Sequence, residues 1–207
     1  NELIEAAGGT DISFPQVGID ALEFEMQGIH ITALPAVGDQ QATLYGADFK
    51  NKTDISFNLG TGAQVSRLID DIELSAKWQI RPYFDGKYLK TIPHLPSGRA
   101  INVYFNFIKE IINRFGNDIS DDEIWEYIID EVSKSSKNTI KCDMSFFDNP
   151  CTDHKKGSIT EIGEHDLTVG NLFNSIFAQM TNNFLWAADL ISEGVQCTSR
   201  IVFSGGI

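Results

Sequence analysis

Apolar residues along this chain change their spacing several times, and each change marks an element. Residues 1–28 are mixed, Gly-containing and weakly periodic, so they predict irregular structure or the tail of a preceding domain. IHITALPAV at 29–37 predicts a strand. It runs into Gly38-Asp39-Gln40-Gln41-Ala42, after which ATLYGADF starts a helix. In DISFNLGTGAQVSRLI two apolar, β-rich stretches flank Gly60-Thr61-Gly62, the pattern of a hairpin. A second hairpin is predicted over 79–91, where Asp85-Gly86 supplies the positive-φ pair of a two-residue turn.

From Ala100 the period becomes helical. Ile101, Tyr104, Phe105, Ile108, Ile111, Ile112 and Phe115 share one face, and Gly116 stands where a C-terminal cap belongs. Ser120 with Glu123 spells a capping box that opens a helix through about residue 134. Residues 138–165 read as loop. The longest stripe, from Leu172 to Ile191, predicts a long, largely buried helix over 167–193 with Asp166 as its N-cap. RIVFSGG then reads as a central strand covered on both faces, ending in Gly205-Gly206. The order of these elements predicts an α/β fold, a mixed sheet flanked by helices.

Composition narrows the function classes. The chain has 207 residues, 42% hydrophobic and 22% charged, as in one globular domain or one domain with a piece of another. Twenty-nine acidic against sixteen basic side chains leave a net charge of -13, which repels a nucleic-acid backbone. A nucleotide stays admissible, because backbone N–H groups and a bound cation hold phosphates without a basic surface. Cys142, Cys151 and Cys197 match neither a zinc knuckle nor a disulfide scaffold and are read as reduced thiols. No apolar run reaches the ~20 residues of a membrane span, and NELIEAAGG lacks the order of a signal peptide. The cytoplasm is therefore the expected location. The missing initial methionine and the stop directly after a strand are expected of a fragment of a longer protein.

Four places carry candidate chemistry. Asp39 sits at the C-terminal end of a predicted strand, where a carboxylate can take a proton from a substrate hydroxyl or cap the following helix, and the dipeptide leaves both open. Gly60-Thr61-Gly62 can bring bare backbone against phosphate oxygens or serve as a steric turn. Gly205-Gly206 can back a nucleotide or make a tight turn. Asp121, Asp122 and Glu123 form a carboxylate cluster in a helix first turn, where the dipole favours them for structural reasons. The four histidines, His30, His94, His154 and His165, lack metal-ligand spacing.

The order of these signals is more specific than any one of them. Strand, GDQQA, a GTG hairpin, PSGRA opening a helix, a long amphipathic helix and a strand ending in SGG together resemble the second domain of FGGY carbohydrate kinases over residues 30–207. LPAVGDQQATLYGADF with ISFNLGTGAQVS is the most distinctive stretch. Phe146-Phe147 with GSITEI resembles the mid-domain segment, although the usual Gly-Thr-Arg or Gly-Glu-Arg reads Asp148-Asn149-Pro150 here. RPYFDGKYL and PSGRAINVYF are similar to sedoheptulokinase-like members; the overall likeness is also to xylulokinases.

The resemblance implies an actin-like ATPase (ribonuclease H-like) fold, with residues 1–36 as the tail of an N-terminal sugar-binding domain and 37–207 as a C-terminal kinase domain incomplete at its end. It implies ATP-dependent transfer of a phosphoryl group, with Mg²⁺ accompanying ATP, to a hydroxyl of a ketose or polyol. Asp39 is the implied general base and Gln40 a sugar contact. Gly60, Thr61 and Gly62 would lie beside the transferred phosphates, Gly98 and Asn102 near the nucleotide with Asn in place of the more usual Gln, and Gly205-Gly206 against the adenosine. The family's first phosphate motif, Asp-x-Gly-Thr, is absent, since Gly9-Thr10-Asp11 has another order. A lone fragment is thus expected to turn over no sugar, and whether it binds nucleotide by itself is left open. The alternative is an actin-like nucleotide-binding domain with a regulatory or scaffold role. Neither nucleic acid nor membrane is an expected partner, a homodimer is left open, and the sugar is not named by these residues.

Overall fold

The computed structural model describes residues 8, 20–115, 119–135, 140–194 and 197–206. The chain divides into two compact units, 1–42 and 43–207. In the first, β1 (Leu22–Met26) pairs antiparallel with β2 (Ile29–Ala33). This corrects the expectation of irregular chain through residue 28. Leu22, Phe24 and Met26 alternate with two glutamates at the strand period, and Gln27-Gly28 supplies two positive-φ residues for the turn. β2 stops at Ala33 rather than continuing to 37. Pro35 restricts the residue before it and has no N–H for a ladder. Helix α1 (Asp39–Gly46) begins in this unit and runs on into the next.

The second unit is built on a five-stranded sheet of order β5-β6-β4-β3-β9. β3 (Asp54–Leu59) and β4 (Ala63–Ile69) form the predicted hairpin around Gly60-Thr61-Gly62. β5 (Gln79–Pro82) and β6 (Tyr88–Leu95) form the second; Asp85 and Gly86 both adopt positive φ, but the connection runs over five residues, 83–87, with a 3-10 turn at Phe84–Gly86, and is not the expected two-residue turn. Between β4 and β6 the register slips: Val65 faces Ile92 but Ala63 faces Leu95. Gln64 therefore opposes both Pro93 and His94, a bulge in which His94 is held at φ 61.

β9 (Arg200–Gly205) pairs in parallel with β3, Asn58 opposite Ser204 and Leu59 opposite Gly205. It was expected to be central and covered on both faces. Among the described residues it is an edge strand, and Ile201 and Phe203 are exposed. An unbroken apolar run marks a strand without saying which faces are covered. At Gly205, φ is 115 and an added Cβ would collide with the Leu59 carbonyl, so this close approach of strands requires glycine.

Three helices complete the unit. α2 (Gly98–Arg114) starts two residues before the predicted Ala100; Gly116 lies outside the described residues. α3 (Asp121–Lys134) opens with the predicted capping box, Ser120 and Glu123 bonding reciprocally. α4 (Val169–Ile191) is capped by Thr168, whose hydroxyl accepts the Asn171 N–H at 3.2 Å. Asp166, expected in that role, accepts from Gly163 N–H instead, and the helix begins two residues later than expected. The predicted loop 138–165 contains two short paired strands, β7 (Lys141–Asp143) and β8 (Ser158–Thr160).

α4 joins two cores. Its first half packs Leu172, Phe173 and Ile176 against Ile101, Tyr104 and Phe105 of α2 and Ile124 and Ile128 of α3. Its second half lays Phe184, Ala187 and Ile191 on Ile55, Phe57, Val65 and Ile92 of the sheet. Leu44, Phe49, Leu68 and Leu89 form a third cluster. Each fully buried side chain of this size contributes ~1.5–3 kcal/mol, so the apolar stripe of α4 holds helices and sheet together. No helix among the described residues is long and apolar enough to cross a membrane.

Candidate functional site

Gly60, at the end of β3, lies where the sheet meets the start of α2. The Gly98 N–H donates to the Gly60 carbonyl at 3.4 Å and the Arg99 N–H to the Thr61 carbonyl at 3.3 Å. The N–H groups of Ala100 and Ile101 donate to the Ser97 carbonyl. The first turn of α2 therefore spends its amides on the hairpin and on its own cap. This ties the glycine turn to the helix that carries Asn102.

One turn into α2, Asn102 is exposed and borders a cavity of about 570 Å³. The cavity is lined by Gly60, Thr61, Gly98, Ile101, Asn102, Trp125, Ile129, Phe177 and Gly206. Five of the residues implied to lie near a nucleotide, Gly60, Thr61, Gly98, Asn102 and Gly206, thus border one space. Gly205 precedes it on β9, and Gly62 lines an adjoining cavity of about 460 Å³ with Thr61, His94, Leu95, Arg99, Phe147 and Asp148.

The larger cavity has one polar side, made of glycine backbone, Thr61 and Asn102, and one apolar side, made of Ile101, Trp125, Ile129 and Phe177. Trp125 is fixed by stacking on Phe105, with ring centroids 4.7 Å apart and planes 10° off parallel. Among the described residues no ionisable side chain lines this space. Its surfaces suit a flat heterocycle and a sugar, and its glycines allow close backbone approach. The aromatic stripe of 173–186 reads in the sequence as core; Phe177 packs there and also borders the cavity. Trp125, Ile129, His94 and Arg99 were not singled out as site residues, because each becomes part of a wall only when α2, α3 and the hairpin meet.

Asp39 and Gln40 belong to the first unit. Asp39 is the first residue of α1, its side chain exposed and its Oδ1 accepting the Gln40 N–H at 2.7 Å. The first helical hydrogen bond, from Ala42 N–H, goes to the Gly38 carbonyl. The carboxylate therefore stands at the positive end of a helix with an accessible face. Gln40 is buried. Gly9-Thr10-Asp11 lies outside the described residues. No cluster of three or more His, Cys, Asp or Glu able to hold a metal ion occurs among the described residues.

No protein-family model matches the chain, and no curated protein matches it by sequence. Solved structures do. The chain is similar to xylulose kinase from Rhodospirillum rubrum at 12% identity and a TM-score of 0.69, covering 84% of this chain and 34% of that one. Gluconate kinase from Lactobacillus acidophilus matches at 16% identity and TM-score 0.65, over 84% and 35% of the two chains. Plasmodium falciparum glycerol kinase, solved with ADP, matches at 14% and 0.61, over 85% and 35%.

These neighbours are FGGY carbohydrate kinases, and the mixed sheet with its flanking helices is their actin-like ATPase fold. The resemblance expected from the order of the motifs holds as a likeness of fold, over the C-terminal domain alone. The chain spans about a third of the length of the kinases it matches.

Proposed function

We infer that this chain is the nucleotide-side part of an ATP-dependent carbohydrate kinase that phosphorylates a hydroxyl of a ketose or polyol. The observation that carries this reading is the convergence of Gly60, Thr61, Gly98, Asn102 and Gly206, drawn from a hairpin, a helix and a strand end, on one cavity with an apolar wall. Residues named from motif order alone would have no reason to meet in an unrelated α/β domain. Further support comes from the carbohydrate kinases among the neighbours of like fold.

In this reading the base of the nucleotide lies along Trp125, Ile129 and Phe177, with Asn102 as a polar contact and Gly206 behind the adenosine. The glycine hairpin approaches the phosphates. Mg²⁺ would arrive with the nucleotide and supply charge neutralisation at its phosphates, since the described residues offer no cluster of their own to hold it. Asp39 accepts the proton of the attacking hydroxyl as its oxygen bonds to the γ-phosphorus and the bond to the β-phosphate oxygen breaks, releasing ADP. Gln40 helps to hold the sugar. Phosphoryl transfer of this kind needs alignment and charge stabilisation more than covalent help from the protein.

The test is a phosphorylation screen of the complete protein with ATP against ketoses and polyols, read as ADP release and phosphosugar formation. A productive acceptor supports the assignment. ADP binding without transfer to any acceptor would leave the regulatory, nucleotide-binding role in its place.

A further inference from the structure

The larger cavity can receive a nucleoside, and none of the described residues that line it is ionisable, so a partner for the charge of a polyphosphate is sought beside it. The adjoining cavity of about 460 Å³ shares Thr61 with it and is lined by Gly62, His94 and Arg99 as well. Arg99 is exposed and has no carboxylate partner among the described residues; its guanidinium rests over the Phe147 ring, 4.6 Å from the centroid. In a chain with 29 acidic and 16 basic residues, a guanidinium seated over a ring and without a carboxylate among the described residues is poised for an outside anion.

His94 reaches the same cavity by way of a strained backbone. The bulge opposite Gln64 places it at φ 61, a conformation that a non-glycine residue keeps only when its surroundings impose it. Asp148 is the one acid among the described residues on this wall; it is mostly exposed and Lys155 Nζ pairs with it at 2.7 Å.

We propose that Arg99 and His94 form a phosphate-binding subsite that opens beside Thr61 and Gly62. Arg99 provides the planar, two-pronged donor that matches a phosphate, and His94 adds an imidazole to the same lining. The proposal rests on the nucleotide reading of the neighbouring cavity only for which molecule carries the phosphate: the terminal group of a nucleoside triphosphate or the phosphate of a ketose phosphate product.

Calorimetric titration of the complete protein with adenosine, ATP, tripolyphosphate and a ketose phosphate decides it, using wild type, Arg99→Ala, Arg99→Lys and His94→Asn. Asn tolerates positive φ, so His94→Asn removes the imidazole without forcing the bulge. Arg99→Ala should weaken ATP and tripolyphosphate by about 10- to 100-fold, the range of a charged hydrogen bond, and leave adenosine unchanged. Arg99→Lys should fall between, and His94→Asn should weaken the same ligands less.

A loss confined to the ketose phosphate assigns the subsite to the product, and a loss confined to the triphosphates assigns it to the nucleotide. Wild-type affinity of Arg99→Ala for every phosphate ligand overturns the proposal, whatever adenosine does. Failure of the wild type to bind adenosine or ATP rejects the nucleotide reading instead, and the tripolyphosphate and ketose phosphate titrations then judge the subsite alone.

Discussion

The backbone N–H of Gly98 donates to the carbonyl of Gly60 at 3.4 Å, which fixes the start of α2 to the glycine hairpin between β3 and β4. Asn102, one helical turn beyond, is thereby set at the cavity rim beside Thr61. Asn102→Ala should weaken ADP binding by about 3- to 10-fold, the worth of one neutral hydrogen bond, with thermal stability unchanged because the residue is exposed. Calorimetry with a melting curve separates the two effects, and unaltered affinity would remove Asn102 from the site.

Asp39→Asn keeps size and polarity but removes the proton acceptor. In the complete protein it should lower kcat for sugar phosphorylation by ~10²–10⁴ while ATP affinity stays near wild type. Wild-type turnover of this variant would refute the base assignment.

Two glycines mark contacts that tolerate no side chain. A Cβ at Gly205 would meet the Leu59 carbonyl, and one at Gly170 would meet the Glu131 carbonyl where α4 passes α3. Gly205→Ala should destabilise by more than ~1 kcal/mol, since φ 115 is also unfavourable for alanine. Urea denaturation should show the midpoint lowered. An exposed glycine such as Gly46, where a Cβ would meet nothing, is the control and should be neutral or stabilised.

Asp54 is 1% exposed and accepts from Ser199 at 3.1 Å and from Arg200 Nη2 at 3.0 Å. Nearby Arg67 is equally buried, donating to the Lys52 carbonyl and the Thr198 hydroxyl, and burial lowers its pKa. Asp54→Ala takes the carboxylate from Arg200, itself 40% exposed, and removes a nearby negative charge from buried Arg67, so with solvent screening the cost should be about 1–3 kcal/mol. A loss under 1 kcal/mol by chemical denaturation would show that solvent already screens the group.

Titration should distinguish the buried phenols and thiols. Burial pushes Tyr83 from 10.0 up to about 12 and raises Tyr104 as well. A raised folded-state value favours the neutral phenol in the native protein, so stability from Tyr83 is full below pH 10.0 and is lost as pH climbs toward about 12. Tyrosinate absorbance should therefore rise together with unfolding in that window. Burial likewise raises Cys142, and Cys151 to about 11, while Cys197 is exposed. Alkylation at neutral pH should label Cys197 first; equal rates at all three would contradict the burial.

Much of this architecture was readable from residue order. Gly60-Thr61-Gly62 and Asp85-Gly86 announced their hairpins because turn chemistry is local, and Ser120 with Glu123 announced its helix for the same reason. β1 was missed although Leu22, Phe24 and Met26 alternate, because five residues give a weak signal in a mixed stretch. The N-cap of α4 moved from Asp166 to Thr168 because both can accept an amide and only the loop geometry chooses. At the cavity, the glycines and Asn102 were accessible through motif resemblance. Trp125 and Arg99 were not, since their roles depend on contacts between elements distant in sequence.

The pairing of Asn58 with Ser204 joins positions 146 residues apart, whereas β3–β4 and β5–β6 close over short turns. Chain-closure entropy makes such a distant parallel pairing a late event in folding. The two hairpins should gain amide protection first in pulse-labelled refolding, and β9 last. Gly206 follows β9 directly, so it joins Gly60 and Thr61 at the cavity only at that step. If the proposed nucleotide binds there, its effect on refolding should appear no sooner than the slowest strand has docked.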